Sequence, residues 1–231
     1  MKTIGLIGGT TWHSTIDYYK LINEEVNRRK GGHTTARIII NSVNFQVLVD
    51  FNDADNWMGV EKYIGGLVLD LEKAGAECII LGANTLHKVA EDIEKNLSIP
   101  IIHIAKETAK VIRNKEIKKV ALLGTKATMT SDFYKNSLSE NGIEMIIPDE
   151  KDMDLIHYSI YEEFSKGIFT DKMKTNYLRI IDKFKEQEIE GVILGCTEIP
   201  ILIKPEDSEL QLFNTTKIHV NAAVDFSLNK S

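Results

Sequence analysis

Gly191-Val192-Ile193-Leu194-Gly195-Cys196-Thr197-Glu198 decides the fold. Val192 to Leu194 is a short apolar run bounded by glycines, the form of a strand buried on both faces of a parallel sheet. Its C-terminal end delivers a glycine, a thiol and two polar residues. Open α/β sheets bind their ligands outside that end of their strands. A second stretch repeats the pattern: Ile79-Ile80-Leu81-Gly82-Ala83-Asn84-Thr85. The two align as an apolar triplet, a glycine, one variable position and two polar residues. The variable position is Cys196 in one and Ala83 in the other, 113 residues apart in a chain of 231.

Working outward, Thr3-Ile4-Gly5-Leu6-Ile7-Gly8-Gly9 resembles Lys119-Val120-Ala121-Leu122-Leu123-Gly124-Thr125, with Gly8 and Gly124 116 residues apart. Two pairs at nearly matching offsets indicate an internal duplication. Strands are expected at 3–7, 36–41, 77–81, 119–123, 144–147, 192–194 and 210–213, with a short extended piece at 99–102. Helices are expected between them at 57–74, 86–96, 105–114, 133–140, 152–165 and 172–187, with a closing helix at 216–228. The first helix is read from a cap at Ser14 or Thr15, with Ile16, Tyr19, Ile22 and Val26 recurring at helical spacing and Gly31-Gly32 ending it. Strands alternating with helices imply parallel sheets built from βαβ units. The expected architecture is two pseudo-symmetric, doubly wound α/β domains, residues 1–115 and 116–231. The site is expected in the cleft between them, with the C-terminal helix packing back on the first half.

Composition narrows the classes of function. The net charge of −6, with acids and bases interspersed, disfavours nucleic acid or an anionic membrane as partner. No apolar run approaches the roughly 20 residues of a membrane span. The first residues enter a strand at once and lack the apolar core and cleavage pattern of a signal peptide. Two cysteines, Cys78 and Cys196, make no disulfide framework. A cytoplasmic protein acting on a small molecule is expected.

Cys196 is the leading chemical residue. A buried structural cysteine is the alternative, but Gly195 before it and Thr197-Glu198 after it favour function. Backbone N–H groups at the following turn favour a thiolate. Cys78, inside an apolar strand, is read as core. The turn at Gly8-Gly9-Thr10 does not complete G-x-G-x-x-G, and no P-loop is present, so neither dinucleotide nor nucleotide phosphate is supported. Small polar residues recur at strand ends instead: Thr10, Asn84 with Thr85, Thr125 and Thr197. Singly each reads as a turn cap; together they suit a carboxylate. None of His13, His33, His87, His103, His157 and His219 has metal-ligand spacing with another or with a cysteine, so no metal is expected. His87, following Asn84-Thr85, is read equally as a supporting or a proton-transfer residue. Glu198 either orients Cys196 and shares in acid–base work or simply favours a helix N-terminus. Lys166, beside Gly167, is read either as a ligand for a second carboxylate or as a surface lysine.

These motifs resemble the aspartate/glutamate racemase family. The matching residues are Ile4 to Gly9 with Ser14-Thr15 and Tyr18-Tyr19, Asn84-Thr85 with His87-Lys88, and Leu123-Gly124-Thr125 with Thr128-Met129. Gly195 to Glu198, and Thr215-Thr216 with Ile218-His219, complete the set. The resemblance implies a cofactor-independent amino-acid racemase, without pyridoxal phosphate, often a homodimer, with its site between two pseudo-symmetric domains. Inversion without a cofactor needs one group to remove the α-proton and another to add one on the opposite face. Thiols suit this because their ordinary pKa, about 8.5, lies near working pH. The family carries cysteine, or in some relatives threonine, at the first acid–base position, where this chain has Ala83. Thr10, His13 and Asn214 also depart from the family pattern. Alanine cannot move a proton. Three readings follow: a racemase of aspartate or glutamate impaired at Ala83, a one-cysteine relative that protonates a single face as a decarboxylase does, or a non-catalytic binder of amino or dicarboxylic acids.

Overall fold

A computed structural model of the chain describes residues 1–229. Among the described residues seven strands form two parallel sheets. The first sheet contains β1 (Ile4–Gly8), β2 (Ile38–Ser42) and β3 (Cys78–Leu81), in the order β2-β1-β3. The second contains β4 (Lys119–Gly124), β5 (Glu144–Ile146), β6 (Gly191–Gly195) and β7 (Gln211–Asn214), in the order β5-β4-β6-β7. Each first strand lies between its second and third, which requires crossovers that helices supply. An isolated parallel bridge from Ile79 to Ile101 puts the extended piece at 99–102 where β7 stands in the second sheet.

The chain divides into two compact units, residues 104–218 and residues 1–103 together with the chain from His219 on. This division differs from an expected boundary at 115/116. The helix Ile104–Arg113 belongs to the second unit, where Ala105, Ala109 and Ile112 join the apolar core. The helix Thr215–Leu228 starts in the second unit and continues in the first, where Val220, Ala223 and Val224 pack with Ile4, Leu6 and Tyr18.

Alternation along the strands covers both faces of the first sheet. Ile4, Leu6, Cys78 and Ile80 join the cluster of the helix Trp12–Lys30, while Ile7, Ile79 and Leu81 join that of the helix Trp57–Lys73. This two-sided burial is why the strands read as continuous apolar runs. Cys78 is fully buried in this core, and burial pushes its thiol up to about 12.

Four local readings are corrected. The first helix is capped by Thr11, whose side chain accepts from the Ser14 N–H, because β1 ends at Gly8 and the turn is short. Its buried stripe is Ser14, Tyr18, Ile22 and Val26, and Ile16 and Tyr19 are exposed. A helix Phe45–Asp53, capped by Asn44, stands where no element was expected. The span 86–96 is a 3-10 turn, Asn84–Lys88, followed by a short helix, Ala90–Glu94. The span 152–165 is a helix Glu150–Tyr158 continued by a π-helical turn Ser159–Glu163 and a 3-10 turn Phe164–Lys166. Among the described residues no helix is long and apolar enough to cross a membrane.

Candidate active site

The register of the two sheets makes Ala83 and Cys196 equivalent. Ile7 lies opposite Leu81 in the first unit, and Leu123 opposite Leu194 in the second. One residue on stand Gly82 and Gly195, in matching environments. A Cβ built on Gly82 would meet the Ile7 carbonyl oxygen at 2.8 Å, and one on Gly195 the Leu123 carbonyl oxygen at 2.8 Å. Both glycines are therefore demanded by close backbone approach to the neighbouring strand. The next residue leaves the sheet at the same point in each unit: Ala83 in one, Cys196 in the other.

In the second unit, Cys196, Thr197 and Glu198 form one hydrogen-bonded group. The Cys196 thiol donates to Glu198 Oε2 at 2.9 Å, and the Thr197 hydroxyl donates to the same oxygen at 2.6 Å. Glu198 is only 4% exposed, and Cys196 keeps a small exposed surface. Burial pushes the Cys196 thiol well above its usual range, and the Glu198 charge and hydrogen bond push it further. The backbone N–H groups of Glu198 and Thr197 act the other way and do not prevail. The expectation that turn amides favour a thiolate is thus outweighed by burial and the adjacent carboxylate. At rest this pair holds a protonated thiol against a proton acceptor.

Tyr177 and Ser159 form a second, buried hydrogen-bonded pair in the second unit. The Ser159 hydroxyl donates to the Ile156 carbonyl at 2.8 Å and so accepts from the Tyr177 hydroxyl at 2.9 Å. Tyr177 is fully buried, and its hydroxyl is held in the neutral form by burial first, then by the proximity of Cys196, Glu198 and Glu163. The sequence pattern offers no sign of these partners.

Thr125 caps the short helix Lys126–Thr130, accepting from the Thr128 N–H at 3.1 Å, and its hydroxyl lies 3.0 Å from that of Thr128. Lys166 is exposed and pairs with Glu162 at 2.7 Å.

In the first unit, Thr10 and Ser14 both address the strand end that leads to Ala83. The Ser14 hydroxyl lies 3.1 Å from the Gly82 carbonyl oxygen and that of Thr10 3.4 Å from it. Asn84 is buried and Thr85 half-buried at the start of the 3-10 turn. His87 on that turn is buried among rings, its centroid 4.7 Å from His103 and 5.2 Å from His219. His219 Nε2 lies 2.6 Å from the Ile102 carbonyl, so Nε2 carries the proton and Nδ1 accepts from the Tyr18 hydroxyl at 2.9 Å. Desolvation first, then the neighbouring imidazoles, hold His87 neutral; burial first brings His219 down to about 4. This cluster is a neutral core element. Among the described residues no three His, Cys, Asp or Glu side chains are placed to hold a metal ion.

Two parallel α/β units, each with small polar residues after its strands and one of them with a thiol–carboxylate pair, define a duplicated α/β fold. The sequence model of the family described as Asp/Glu/Hydantoin racemase matches residues 7–223, and the chain belongs to that family. The chain is 43% identical over 153 residues to the broad specificity amino-acid racemase RacX of Bacillus subtilis (strain 168), a match spanning 63% of this chain and 63% of that relative. The structure of a candidate Asp/Glu racemase from Yersinia pestis matches with a TM-score of 0.92 at 41% identity, over 99% of this chain and 100% of that one. An aspartate racemase homologue from Pyrococcus horikoshii OT3 matches with a TM-score of 0.85 at 38% identity, over the same shares.

Proposed function

We propose that this chain exchanges the α-proton of a free amino acid, aspartate or glutamate first among them, without a cofactor, and that Cys196 handles the proton. The observation that carries this reading is the Cys196 thiol bonded to buried Glu198 at a strand end. A thiol held protonated is a proton donor to a carbanion. To act as a base it must first pass its proton to Glu198, which already accepts it in a hydrogen bond. A buried, preorganised pair lowers the cost of that exchange relative to water. Family membership and the similarity to named racemases support the reaction class.

Inversion requires a second proton-handling group for the other face of Cα. The position equivalent to Cys196 by strand register is Ala83, which has none. The proposal is therefore a racemase slowed at one of its two proton transfers. The same observation favours a second reading, proton exchange on a single face with retention. Incubation of aspartate and glutamate in deuterated water, with chiral separation and mass analysis, tests both. Deuterium at Cα with inversion supports the racemase, and deuterium with retention supports single-face chemistry. Absence of exchange in the parent chain, with both amino acids bound, would leave only a binding protein.

A further inference from the structure

Trp12, Ile16 and Tyr19 recur at helical spacing on the helix Trp12–Lys30 and are 62%, 53% and 53% exposed. Two asparagines that continue the stripe show which way it faces. Asn23 Oδ1 accepts from the Ala36 N–H at 3.0 Å, and Asn27 Nδ2 donates to the Thr34 carbonyl at 3.1 Å. The stripe therefore runs along the side of the helix next to the chain that enters β2. β2 is the end strand of its sheet, and its outer edge carries no further strand among the described residues. Ile38 packs with the core beneath this helix, so Ile40, two residues on, lies on the same face of the sheet, where it is 39% exposed. Counted from the bond between Asn23 and Ala36, helix and strand run in opposite directions. Seven helical residues rise about 10 Å to Ile16 and four strand residues about 13 Å to Ile40, so the two stand at nearly one level.

Open edges are normally blunted by charged residues or proline, and Ile38-Ile39-Ile40-Asn41-Ser42 has neither. The exposed parts of the four apolar side chains come to on the order of 400 Å², about half of the roughly 800 Å² that each partner buries in a stable complex. The strand edge and its rim supply the remainder.

We propose that a second copy of this chain docks here, its β2 pairing with β2 across a two-fold axis to make one six-stranded sheet. Identical strands related by such an axis are antiparallel and self-complementary, and they need no crossover. The helix Trp12–Lys30 packs over β1 and β2. With strands about 4.8 Å apart its copy then lies about 10 Å away, the distance at which helices interlock. An axis at the level of Ile16 sets that residue against its copy and brings Lys20 of each chain to the level of Trp12 of the other. The Lys20 side chain is 65% exposed and held only loosely by Glu24, at 3.8 Å, so it can lie over the indole as a cation over a ring. The strand brings no charges together across the axis. The proposal is independent of the racemase reading.

Sedimentation velocity of the full chain, from nanomolar to high micromolar concentration, tests it. The parent is expected to sediment as a dimer at micromolar concentration. Ile16→Glu and Ile40→Lys each place two like charges at the axis, one per copy, and should raise the dimer Kd about hundredfold or more. Met58→Lys, on the helix Trp57–Lys73 over the opposite face of the sheet and 80% exposed, should leave it unchanged. Circular dichroism reports whether each variant is folded. A second measurement needs no disrupting charge: in a Cys196→Ala background, Ile16→Cys should oxidise to a disulfide-linked dimer on a non-reducing gel, and Met58→Cys should not. A monomeric parent overturns the proposal and leaves the face to a partner of different sequence. A dimer that survives both charged variants, or that Ile16→Cys traps no better than Met58→Cys, overturns it as well.

Discussion

Cys196 Sγ lies 2.9 Å from Glu198 Oε2, so the thiol and its proton acceptor are two residues apart on one turn. The carboxylate holds the proton on sulfur, because a thiolate there would face a negative charge as well as burial.

Glu198→Gln should therefore lower the thiol pKa. Alkylation by iodoacetamide followed across pH should show its midpoint at a lower pH than in the parent, with faster labelling at pH 8. The signal belongs to Cys196, since Cys78 is fully buried with its thiol raised to about 12, and Cys196→Ala should abolish it. A midpoint that stays put or rises would mean that the carboxylate does not control the thiol.

Gly82→Ala should destabilise the first unit. The new methyl would stand 2.8 Å from the Ile7 carbonyl oxygen, and backbone in a central strand does not yield cheaply. Overpacking of this kind costs about 1–3 kcal/mol. Gly66→Ala is the contrast, since a Cβ there meets nothing within the helix Trp57–Lys73 and should stabilise by roughly 0.5–1 kcal/mol. Thermal melts of the two variants should move in opposite directions, and a shared direction would refute the packing argument.

The apolar runs that end in Gly82 and Gly195 were legible because a strand buried on both faces leaves no polar alternation, and because close strand approach admits only glycine. That makes the matching positions of Ala83 and Cys196 readable in the sequence. The first helix was legible in extent but not in facing. Ile16 and Tyr19 are apolar yet exposed, and the polar Ser14 is buried because its hydroxyl serves the Gly82 carbonyl. The Ser159–Tyr177 pair was not legible at all, because Ser159 opens a π-helical turn that no sequence signal marks. The clustering of His87, His103 and His219 was equally hidden, since it depends on the chain from His219 on returning to the first unit.

That cluster should make the protein sensitive to acid. His219 is neutral in the fold, with its pKa down to about 4, and titrates near its ordinary 6.5 when unfolded. Between those values the unfolded chain binds more protons, so stability falls as pH drops from about 6.5 toward 4 and gains nothing above 6.5. At 1.36 kcal/mol per pKa unit the loss from His219 is about 3 kcal/mol, and His87 adds in the same direction. Urea midpoints taken from pH 7.5 to 4.5 should fall steeply in the parent. His219→Gln, whose amide can still donate to the Ile102 carbonyl, should be less stable at pH 7 but fall less steeply. Equal slopes would remove His219 from the account.

Ala83→Cys should raise racemisation. Ala83 follows Gly82 as Cys196 follows Gly195, and the ladder pairs just before them, Ile7 with Leu81 and Leu123 with Leu194, correspond. The backbone at Ala83 is extended, with φ −147° and ψ 140°, a conformation any L-residue adopts without strain. The residue is also partly exposed, so one added sulfur displaces no core atom. A general acid or base contributes about 10²–10⁴-fold, which at 1.36 kcal/mol per tenfold is about 3–5 kcal/mol of barrier. A gain of that order is visible by chiral chromatography of aspartate and glutamate after incubation with each variant. The double variant Ala83→Cys with Cys196→Ala should lose the gain, because inversion needs both groups and either thiol alone serves one face. If Ala83→Cys folds, binds the amino acid and inverts it no faster than the parent, the equivalence of the two positions has no catalytic meaning. If the parent already inverts at the rate of the variant, the second proton comes from another group. Glu198 is then the first to replace, because it already holds a hydrogen bond from the thiol and sits almost wholly out of solvent.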